Sequence, residues 1–162
     1  MSCTVYQKTI ESPVGVLCLR ATDKGLCEVV FPGSTAKTSH AVDSDDHPML
    51  LQAEAQLTQY FLGTRKDFDL PLDMHGSVFQ IKAWRALQSI PYGKTISYQK
   101  QAEAVGDKKK ARAVGAANGR NPLSIVVPCH RVIGKSGALT GFGGGLKVKE
   151  YLLEHERKHI AA

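Results

Sequence analysis

The chain has 162 residues, of which 43% are hydrophobic and 22% charged, a composition that suits one or two folded domains with a real core. The net charge of +6 is unevenly distributed: residues 1–74 carry 6 Lys and Arg against 10 Asp and Glu, whereas residues 75–162 carry 15 against 5. This pattern predicts two domains that divide after residue 74. It favours a polyanionic partner for the second domain alone, although a solvated basic face would give the same counts.

Neither membrane insertion nor export is expected. No apolar run is long enough to cross a bilayer, and the first residues lack the apolar core and cleavage site of a signal peptide. We therefore expect a cytoplasmic protein with no membrane partner. The four cysteines, Cys3, Cys18, Cys27 and Cys129, form no C-x-x-C pair, so disulfides are not expected. Cys3 and Cys27 could hold a metal together with His75, but their spacing is unlike that of a zinc finger, and we predict none.

Short strands and one helix are predicted for the first half. The strands are separated by turns that contain Gly or Pro, and they cover 4–10, 16–21 and 26–31. Residues 32–47 are rich in Gly, Ser, Thr and Asp, which predicts a loop. Pro48 opens a helix that Asp46 or His47 caps and that Gly63 closes. We therefore expect an α/β (α+β) protein whose first domain is a small antiparallel sheet with one helix.

The second half is predicted to be mainly helical. Ser77 and Gln80 form a capping box ahead of one helix, and Ser97 caps a second helix that ends at Gly106. A third helix is predicted over 109–118. Because the second and third helices flank a break that contains glycine, they form a candidate helix-turn-helix.

Three further segments complete the predicted second domain. Residues 123–127 are apolar and largely β-branched, which predicts a short buried strand. This strand leads directly into a cysteine-containing segment. A glycine-rich loop, 137–145, then precedes a final amphipathic helix from about residue 146 to residue 157.

Positive charge clusters at the start of the third predicted helix. Lys108, Lys109 and Arg112 stand where cations oppose the helix dipole, so folding gains nothing from them there. A phosphate backbone would turn this penalty into an attraction. The rest of the helix is nearly bare, and its small residues include Ala111, Ala113 and Gly115. A bare helix can press close to a DNA groove, and it can equally pack tightly on another helix.

Cys129 is the strongest candidate nucleophile. A thiol attacks carbon as a thiolate, which requires a nearby base or positive field. His130 supplies a base and Arg131 a positive charge, so we predict a Cys129 pKa below that of free cysteine, about 8.5. Because adjacent side chains on a strand point apart, a turn at Pro128 or a bridging water would connect thiol and imidazole. Glu156 could orient the imidazole. The alternative is an inert buried cysteine beside a surface histidine.

Several segments together resemble one known family. The run Pro128-Cys129-His130-Arg131-Val132 is similar to the active-site signature of the O6-alkylguanine-DNA alkyltransferases, which repair DNA. The similarity is dense from about residue 77 to residue 156 and looser before it. Further matching segments are Tyr92-Gly93-Lys94-Thr95-Ile96-Ser97-Tyr98, Ala111-Arg112-Ala113-Val114-Gly115, Asn121-Pro122, Gly144-Gly145-Leu146 and Lys149-Glu150-Tyr151-Leu152-Leu153.

The resemblance implies a chemistry. Such proteins transfer the alkyl group of O6-alkylguanine, and of O4-alkylthymine, irreversibly to the thiol that matches Cys129, in one turnover. His130 would be the base, acting through a water, and Glu156 would complete the relay. Tyr98 would donate to N3 of the base and assist its departure.

The resemblance also implies how the substrate reaches the thiol. Because O6 lies within the base stack, the nucleotide is flipped out, and Arg112 would fill the gap from the minor groove. Asn121 would tie the recognition helix to the active-site turn, and the Val132 carbonyl and the Gly143 N–H would line the base pocket. We expect a monomer that binds double-stranded DNA containing O6-alkylguanine.

No cofactor is predicted. Residues 93–95 and 134–136 each resemble the end of a phosphate-binding loop but lack its upstream glycine. Residues 141–146 lack the last glycine of the dinucleotide-binding pattern. Some members of the family hold zinc, but Thr22 stands at one of the ligand positions, which also argues against a structural metal.

Two other functions are compatible with parts of the sequence. A non-catalytic helix-turn-helix protein that recognises lesions would need the basic helix but not Cys129. A thiol hydrolase would use Cys129, but it would need an oxyanion site and would turn over many times. The alkyltransferase interpretation explains the basic helix and the cysteine segment together.

Overall fold

The computed structural model describes residues 4–32, 40–134, 142 and 144–161. The chain divides into two compact units, Met1–Met74 and His75–Ala162. In the described ranges, none of the helices combines the length and the apolar character that a membrane crossing requires.

The first unit is a four-stranded sheet with one helix. Its strands are β1 (Tyr6–Ile10), β2 (Leu17–Thr22), β3 (Gly25–Val30) and β4 (Val42–Asp43), in the order β3-β2-β1-β4. The first three strands are antiparallel, as predicted, whereas β4 pairs in parallel with β1. The sequence predicts only a loop around β4, because a strand of two residues has no recognisable alternation.

Helix α1 (Pro48–Phe61) packs on β2. It is capped by His47, whose Nδ1 accepts the N–H of Met49 at 3.2 Å. Pro48 takes the first helical position, where its missing N–H costs nothing. The core of the unit lies between helix and sheet, and its fully buried side chains include Leu17, Leu19, Leu50, Leu57 and Tyr60.

The second unit is mainly helical, as predicted. Its helices are α2 (Val78–Leu87), α3 (Tyr98–Val105), α4 (Ala111–Gly119) and α5 (Leu146–His159), with short 3-10 helices over Lys108–Lys110 and Cys129–Arg131. The predicted capping box is confirmed, because Gln80 N–H donates to Ser77 Oγ and Ser77 N–H donates to Gln80 Oε1. Ser97 caps α3, as predicted, by accepting the N–H of Lys100.

Helices α3 and α4 form a helix-turn-helix that packs on α2. The shared core consists of Ala83, Ala102, Val114 and Ala117. Buried polar contacts fix the three helices. Trp84 Nε1 donates to the Ala117 carbonyl at 2.8 Å, and the side-chain amides of Gln101 and Asn118 exchange hydrogen bonds of 2.9 and 2.7 Å. Because these buried amides are paired with each other, they favour a single arrangement of α3 and α4.

A small parallel sheet joins the helix-turn-helix to the cysteine segment. Strand β5 (Ile96–Ser97) directly precedes α3, and β6 (Val132–Ile133) directly follows the 3-10 helix that begins at Cys129. Ile96 pairs with Val132, and Ser97 pairs with Ile133. The start of α3 and the cysteine segment are therefore fixed relative to each other.

Residues 123–127 form a buried turn, and the predicted strand is wrong. Val127 N–H donates to the Leu123 carbonyl at 2.8 Å, and Ile125 has a φ of 76°. The same apolar, β-branched residues suit any buried segment, so their composition alone favours a strand. Asn121 holds both ends of the turn: its Nδ2 donates to the Val127 carbonyl, and its Oδ1 accepts the N–H of Leu123. A left-handed conformation is strained for isoleucine, so surrounding contacts must enforce it.

Candidate active site

Cys129 begins a 3-10 turn in the interior of the second unit and is only 6% exposed. Its N–H donates to the Val127 carbonyl at 2.8 Å. The polar side chains of Asn121 and Ser124 act on the sulfur and lower the pKa of Cys129. Asn121 follows α4 closely, so one side chain connects the end of that helix, the buried turn and the thiol.

The pKa of Cys129 is raised, contrary to the prediction from the sequence. Burial is the main cause, since it removes the water that would solvate a thiolate, while hydrogen bonds from Asn121 and Ser124 and the charge of Lys149 oppose the increase. Arg131, which was expected to add positive charge beside the thiol, binds Glu156 instead. The resting protein therefore holds a thiol, and its proton must leave during the reaction.

His130 and Glu156 are joined by a short hydrogen bond. Nε2 of His130 lies 2.6 Å from Oε2 of Glu156, and the two residues are 0% and 1% exposed. Burial lowers the pKa of His130 despite the adjacent carboxylate, so the imidazole is neutral. Because an ionised carboxylate only accepts, Nε2 carries the hydrogen and Nδ1 is an acceptor. Nδ1 is buried and has no hydrogen-bond partner in the described part of the chain. This imidazole is oriented as a base.

Arg131 neutralises Glu156 through a contact that the sequence does not reveal. Nε and Nη2 of Arg131 donate to the two carboxylate oxygens at 2.9 and 3.1 Å, and Nη1 donates to the Ile90 carbonyl at 2.7 Å. Burial alone would raise the pKa of Glu156, but the hydrogen bonds and charges of His130 and Arg131 hold this pKa well below its usual range. Glu156 is therefore an ionised group whose two oxygens are both held.

Gly93 supplies a further hydrogen bond to Glu156. Its N–H donates to Oε1 at 3.2 Å from a turn in which Gly93 has a φ of 76°. A Cβ at this position would lie 2.5 Å from Cδ1 of Ile160. Both the backbone conformation and the close approach of Ile160 therefore favour glycine.

Val132 connects the cysteine turn to α5. Its N–H donates to the Cys129 carbonyl, and its own carbonyl accepts Nζ of Lys149 at 2.6 Å. Lys149 is fully buried. Sequence analysis missed this residue, because a lysine in an amphipathic helix ordinarily lies on the solvent face.

The predicted DNA-contacting residues lie on two faces of the helix-turn-helix. The exposed ones are Lys108, Lys109, Arg112 and Ala113. Ala111 instead packs against the shared core of α2, α3 and α4, and a Cβ on Gly115 would lie 3.6 Å from the ring of Tyr98. Because Ala111 and Gly115 are one turn apart, they belong to the inner face of α4. Both residues are half-buried, and their small size allows close packing on α3, whereas their contact with DNA stays a prediction.

Tyr98 lies at the start of α3, directly after β5. It is half-buried and lines a cavity of ≈ 320 Å³ together with Ser97, Gln99, Lys108 and Ala111. The structure therefore brings Cys129, His130, Glu156, Asn121 and Val132 together at the cysteine turn. Tyr98 lies at the start of α3, next to Ser97, which pairs with Ile133 directly after this turn.

Two of the considered residues, Gly143 and Cys3, lie outside the described residues. Within the described ranges, no group of three or more His, Cys, Asp and Glu side chains is placed to hold a metal ion. Burial raises the pKa of Cys27 to about 11, which disfavours the thiolate that a metal requires.

The buried pair His130–Glu156 should make the protein sensitive to acid. The pKa values of both groups are lower in the folded than in the unfolded chain. The unfolded chain thus binds more protons, so lowering the pH reduces the free energy of unfolding. His130 contributes to this loss below about pH 6.5, and Glu156 contributes below about pH 4.3. Each slope reaches about 1.4 kcal/mol per pH unit. Urea denaturation across this pH range measures both losses of stability, and His130→Gln should remove only the loss that begins near pH 6.5. If that loss is unchanged in His130→Gln, it does not come from His130.

Two domain profiles match almost the entire chain. Residues 5–74 match the ribonuclease-like domain of 6-O-methylguanine DNA methyltransferase, and residues 78–158 match its DNA binding domain. The chain belongs to the 6-O-methylguanine DNA methyltransferase family. The α/β fold and the resemblance identified from the cysteine segment are both confirmed.

Relatives in this family are similar over their full lengths. The methylated-DNA–protein-cysteine methyltransferase of Mycolicibacterium paratuberculosis is 48% identical over 158 residues, which are 98% of this chain and 96% of the relative. The constitutive enzyme of the same name from Bacillus subtilis is 43% identical, over 94% of this chain and 95% of the relative. A crystal structure of Mycobacterium tuberculosis OGT in complex with DNA is 45% identical, covers 95% of this chain and 94% of that chain, and has a TM-score of 0.88.

Proposed function

We propose that this chain transfers the alkyl group of O6-alkylguanine in double-stranded DNA, and of O4-alkylthymine, to Sγ of Cys129 once per molecule. One observation carries the proposal: a buried thiol is followed by a neutral histidine whose Nε2 donates to an ionised glutamate and whose Nδ1 is an acceptor with no hydrogen-bond partner among the described residues. The names of the relatives, and the solved relative in complex with DNA, support this substrate.

The reaction is a displacement at the alkyl carbon. The thiol proton passes to Nδ1 of His130 through a bridging water, and the imidazolium that forms is stabilised by Glu156. The sulfur lone pair forms the new S–C bond while the C–O6 bond breaks, and its electron pair stays on the guanine. The guanine recovers one proton, which the hydroxyl of Tyr98 supplies at N3.

The reaction ends after a single transfer. The product is a thioether, which is neutral and offers no good leaving group. Neither His130 nor Glu156 can activate a water to displace the alkyl group from carbon at a useful rate. Each protein molecule is therefore consumed by one transfer. We further propose that the protein acts as a monomer and needs no cofactor.

Access to the thiol requires a flipped nucleotide. Cys129 is almost inaccessible to solvent, and O6 of a stacked base is out of reach of any protein side chain. The exposed charges of Lys108, Lys109 and Arg112 favour docking of α4 on the phosphate backbone, with Arg112 entering the minor groove. The Val132 carbonyl would then face the edge of the extruded base.

The intact mass of the protein tests this function. After mixing with a duplex that contains one O6-methylguanine, the mass should increase by one methyl group in place of one hydrogen. The same duplex with unmodified guanine is the control. A protein that binds the methylated duplex without gaining mass would be a lesion-binding protein, which is the alternative.

Arg112 and the two lysines should affect repair differently. Arg112→Ala should slow transfer from duplex DNA more than transfer from the free base O6-benzylguanine, because only the duplex needs stabilisation of the flipped state. Lys108→Ala and Lys109→Ala should instead weaken binding to all sequences alike and reduce the salt slope of log K by about one unit each. Equal losses of both reactions in Arg112→Ala would refute its role in flipping.

A further inference from the structure

The last turns of α5 carry two histidines on one face. His155 and His159 are four residues apart, so their side chains are neighbours on the helix surface. Their ring centroids lie 4.5 Å apart, and the ring planes meet at an angle of 44°. Neither imidazole takes part in the proposed alkyl transfer, so the proposed function leaves this part of α5 unexplained.

The spacing of this pair is one that binds metal ions. In the pattern H-E-x-x-H of metalloproteases, two histidines one helical turn apart hold zinc on one face of a helix. Helix α5 contains this pattern as His155-Glu156-Arg157-Lys158-His159. An ion bound tetrahedrally, at about 2.0–2.1 Å from a nitrogen of each imidazole, holds two ring centres roughly 5 Å apart. The separation of 4.5 Å in α5 is therefore short enough for both rings to share one ion.

Hydrogen bonding prepares His159 as a ligand. Its Nδ1 lies 2.8 Å from the His155 carbonyl, and because a carbonyl only accepts, Nδ1 carries the hydrogen and Nε2 holds the lone pair. Histidines that bind metals almost always donate their second ring N–H to a carbonyl, a carboxylate or water, which fixes the ring and its tautomer. Tyr151 restrains the other ring, since it stacks on His155 with centroids 5.9 Å apart and planes at 12°. Both rings are therefore held in place before an ion binds.

Glu156, the acid of the pattern, is engaged elsewhere. Its Oε2 accepts from Nε2 of His130 at 2.6 Å, and both of its oxygens accept from Arg131. It therefore cannot activate a metal-bound water, as the corresponding glutamate of metalloproteases does. It also adds no third ligand, in agreement with the lack of any group of three or more possible ligands among the described residues. Water would complete the coordination, and no hydrolytic activity is expected.

The charges at this end of α5 permit a bound cation. The pair lies at the carboxyl end of the helix, where the helix dipole favours positive charge. Arg157 is paired with Glu154 at 2.7 Å, which offsets one of the two neighbouring positive charges. Lys158 is exposed, so solvent and salt screen the other. Repulsion from these neighbours therefore does not prevent a divalent ion from binding.

We propose that His155 and His159 form a binding site for one divalent transition-metal ion, held through one imidazole nitrogen of each residue. Imidazole ligands suit Zn²⁺, Cu²⁺ and Ni²⁺, whereas Mg²⁺, Ca²⁺ and Mn²⁺ prefer oxygen ligands. Affinity should therefore be highest for Cu²⁺, lower for Ni²⁺ and lowest for Mn²⁺. The site is independent of the proposed function, because alkyl transfer to Cys129 needs no metal.

Calorimetric titration with Ni²⁺ measures this site, and Ni²⁺ is preferred to Cu²⁺ because it does not oxidise the cysteines. The variant is His159→Gln, since His159 is half-buried whereas His155 is buried and its loss would disturb the packing of α5. His40→Gln is the matched control: it removes an exposed histidine that lies in the first unit. Thermal melting without metal verifies that both variants fold.

His159→Gln should bind Ni²⁺ at least about 10-fold more weakly than the unmodified chain, because loss of an outer-shell partner alone costs 10- to 100-fold in metal affinity. His40→Gln should bind Ni²⁺ as the unmodified chain does, and Mn²⁺ should bind far more weakly than Ni²⁺ to all three proteins. A folded His159→Gln protein with unchanged affinity for Ni²⁺ would overturn the inference, as would an unmodified chain that binds no Ni²⁺.

NMR of nitrogen-15-labelled histidine tests the site on the unmodified chain and covers the case in which His159→Gln does not fold. Addition of Zn²⁺ should shift the Nε2 resonance of His159, which holds the lone pair, while Nδ1 keeps its hydrogen bond to the His155 carbonyl. A ring nitrogen of His155 should shift over the same range of Zn²⁺ concentration. If Zn²⁺ shifts neither histidine, or only one of the two, the inference is wrong.

Discussion

Cys129→Ser should lose alkyl transfer almost completely, by roughly 10⁴-fold or more, which is the scale seen when a nucleophile relay loses an essential member. Serine nearly preserves the size of the buried side chain, which is 6% exposed, and keeps a polar atom in the place of the sulfur. Its hydroxyl is far less acidic and far less nucleophilic towards an alkyl carbon than a thiol with the same base. The rate of methyl loss from a duplex containing O6-methylguanine, measured with protein in excess, gives the effect directly.

Binding of the same duplex provides the control for Cys129→Ser. The exposed basic residues of α4 and of the preceding 3-10 helix are untouched by this substitution, so affinity for the methylated duplex should be close to that of the unmodified chain. Transfer by Cys129→Ser at more than a small fraction of the normal rate would mean that another residue accepts the alkyl group.

Glu156→Gln should lower the free energy of unfolding by about 3–5 kcal/mol, since it leaves the Arg131 guanidinium buried beside a neutral amide. It should also slow alkyl transfer by about 10²- to 10⁴-fold, because the imidazolium of His130 loses the carboxylate that stabilises it. Urea denaturation measures the first effect and single-turnover transfer the second.

A double variant distinguishes the two roles of Glu156. Glu156→Gln combined with Arg131→Met removes both members of the buried ion pair and should recover much of the lost stability, because paired burial of charge stabilises little over apolar contacts. Transfer should stay slow, since His130 still lacks its carboxylate. Recovery of the transfer rate together with stability would show that Glu156 serves the fold alone.

Local signals were the part of the fold that the sequence predicted well. The capping box of Ser77 and Gln80 and the cap at Ser97 depend on residues three apart, so the pattern and the contact are nearly the same observation. The turn over 123–127 was mispredicted because its β-branched residues suit burial in general. Its shape depends instead on both hydrogen bonds of the Asn121 side chain.

Long-range contacts within the site were not predictable from spacing. The nucleophile and its histidine are adjacent in the sequence, and the family resemblance suggested Glu156. Arg131 was expected to act on the thiol, yet its guanidinium turns to Glu156, 25 residues away. Lys149 resembles any solvent-facing lysine of an amphipathic helix until the fold buries it. The sequence therefore indicated which chemistry to expect, while the charge balance of the site emerged only from the structure.

The most direct measurement is the stoichiometry and location of the transferred methyl group. The protein would be incubated with increasing excesses of a duplex containing O6-methylguanine, digested with protease and examined by peptide mass spectrometry. Modification should stop at one methyl group per molecule, all of it on the peptide that contains Cys129, and further substrate should remain methylated. Continued demethylation after the protein is saturated, or a methyl group on any other peptide, would contradict the account.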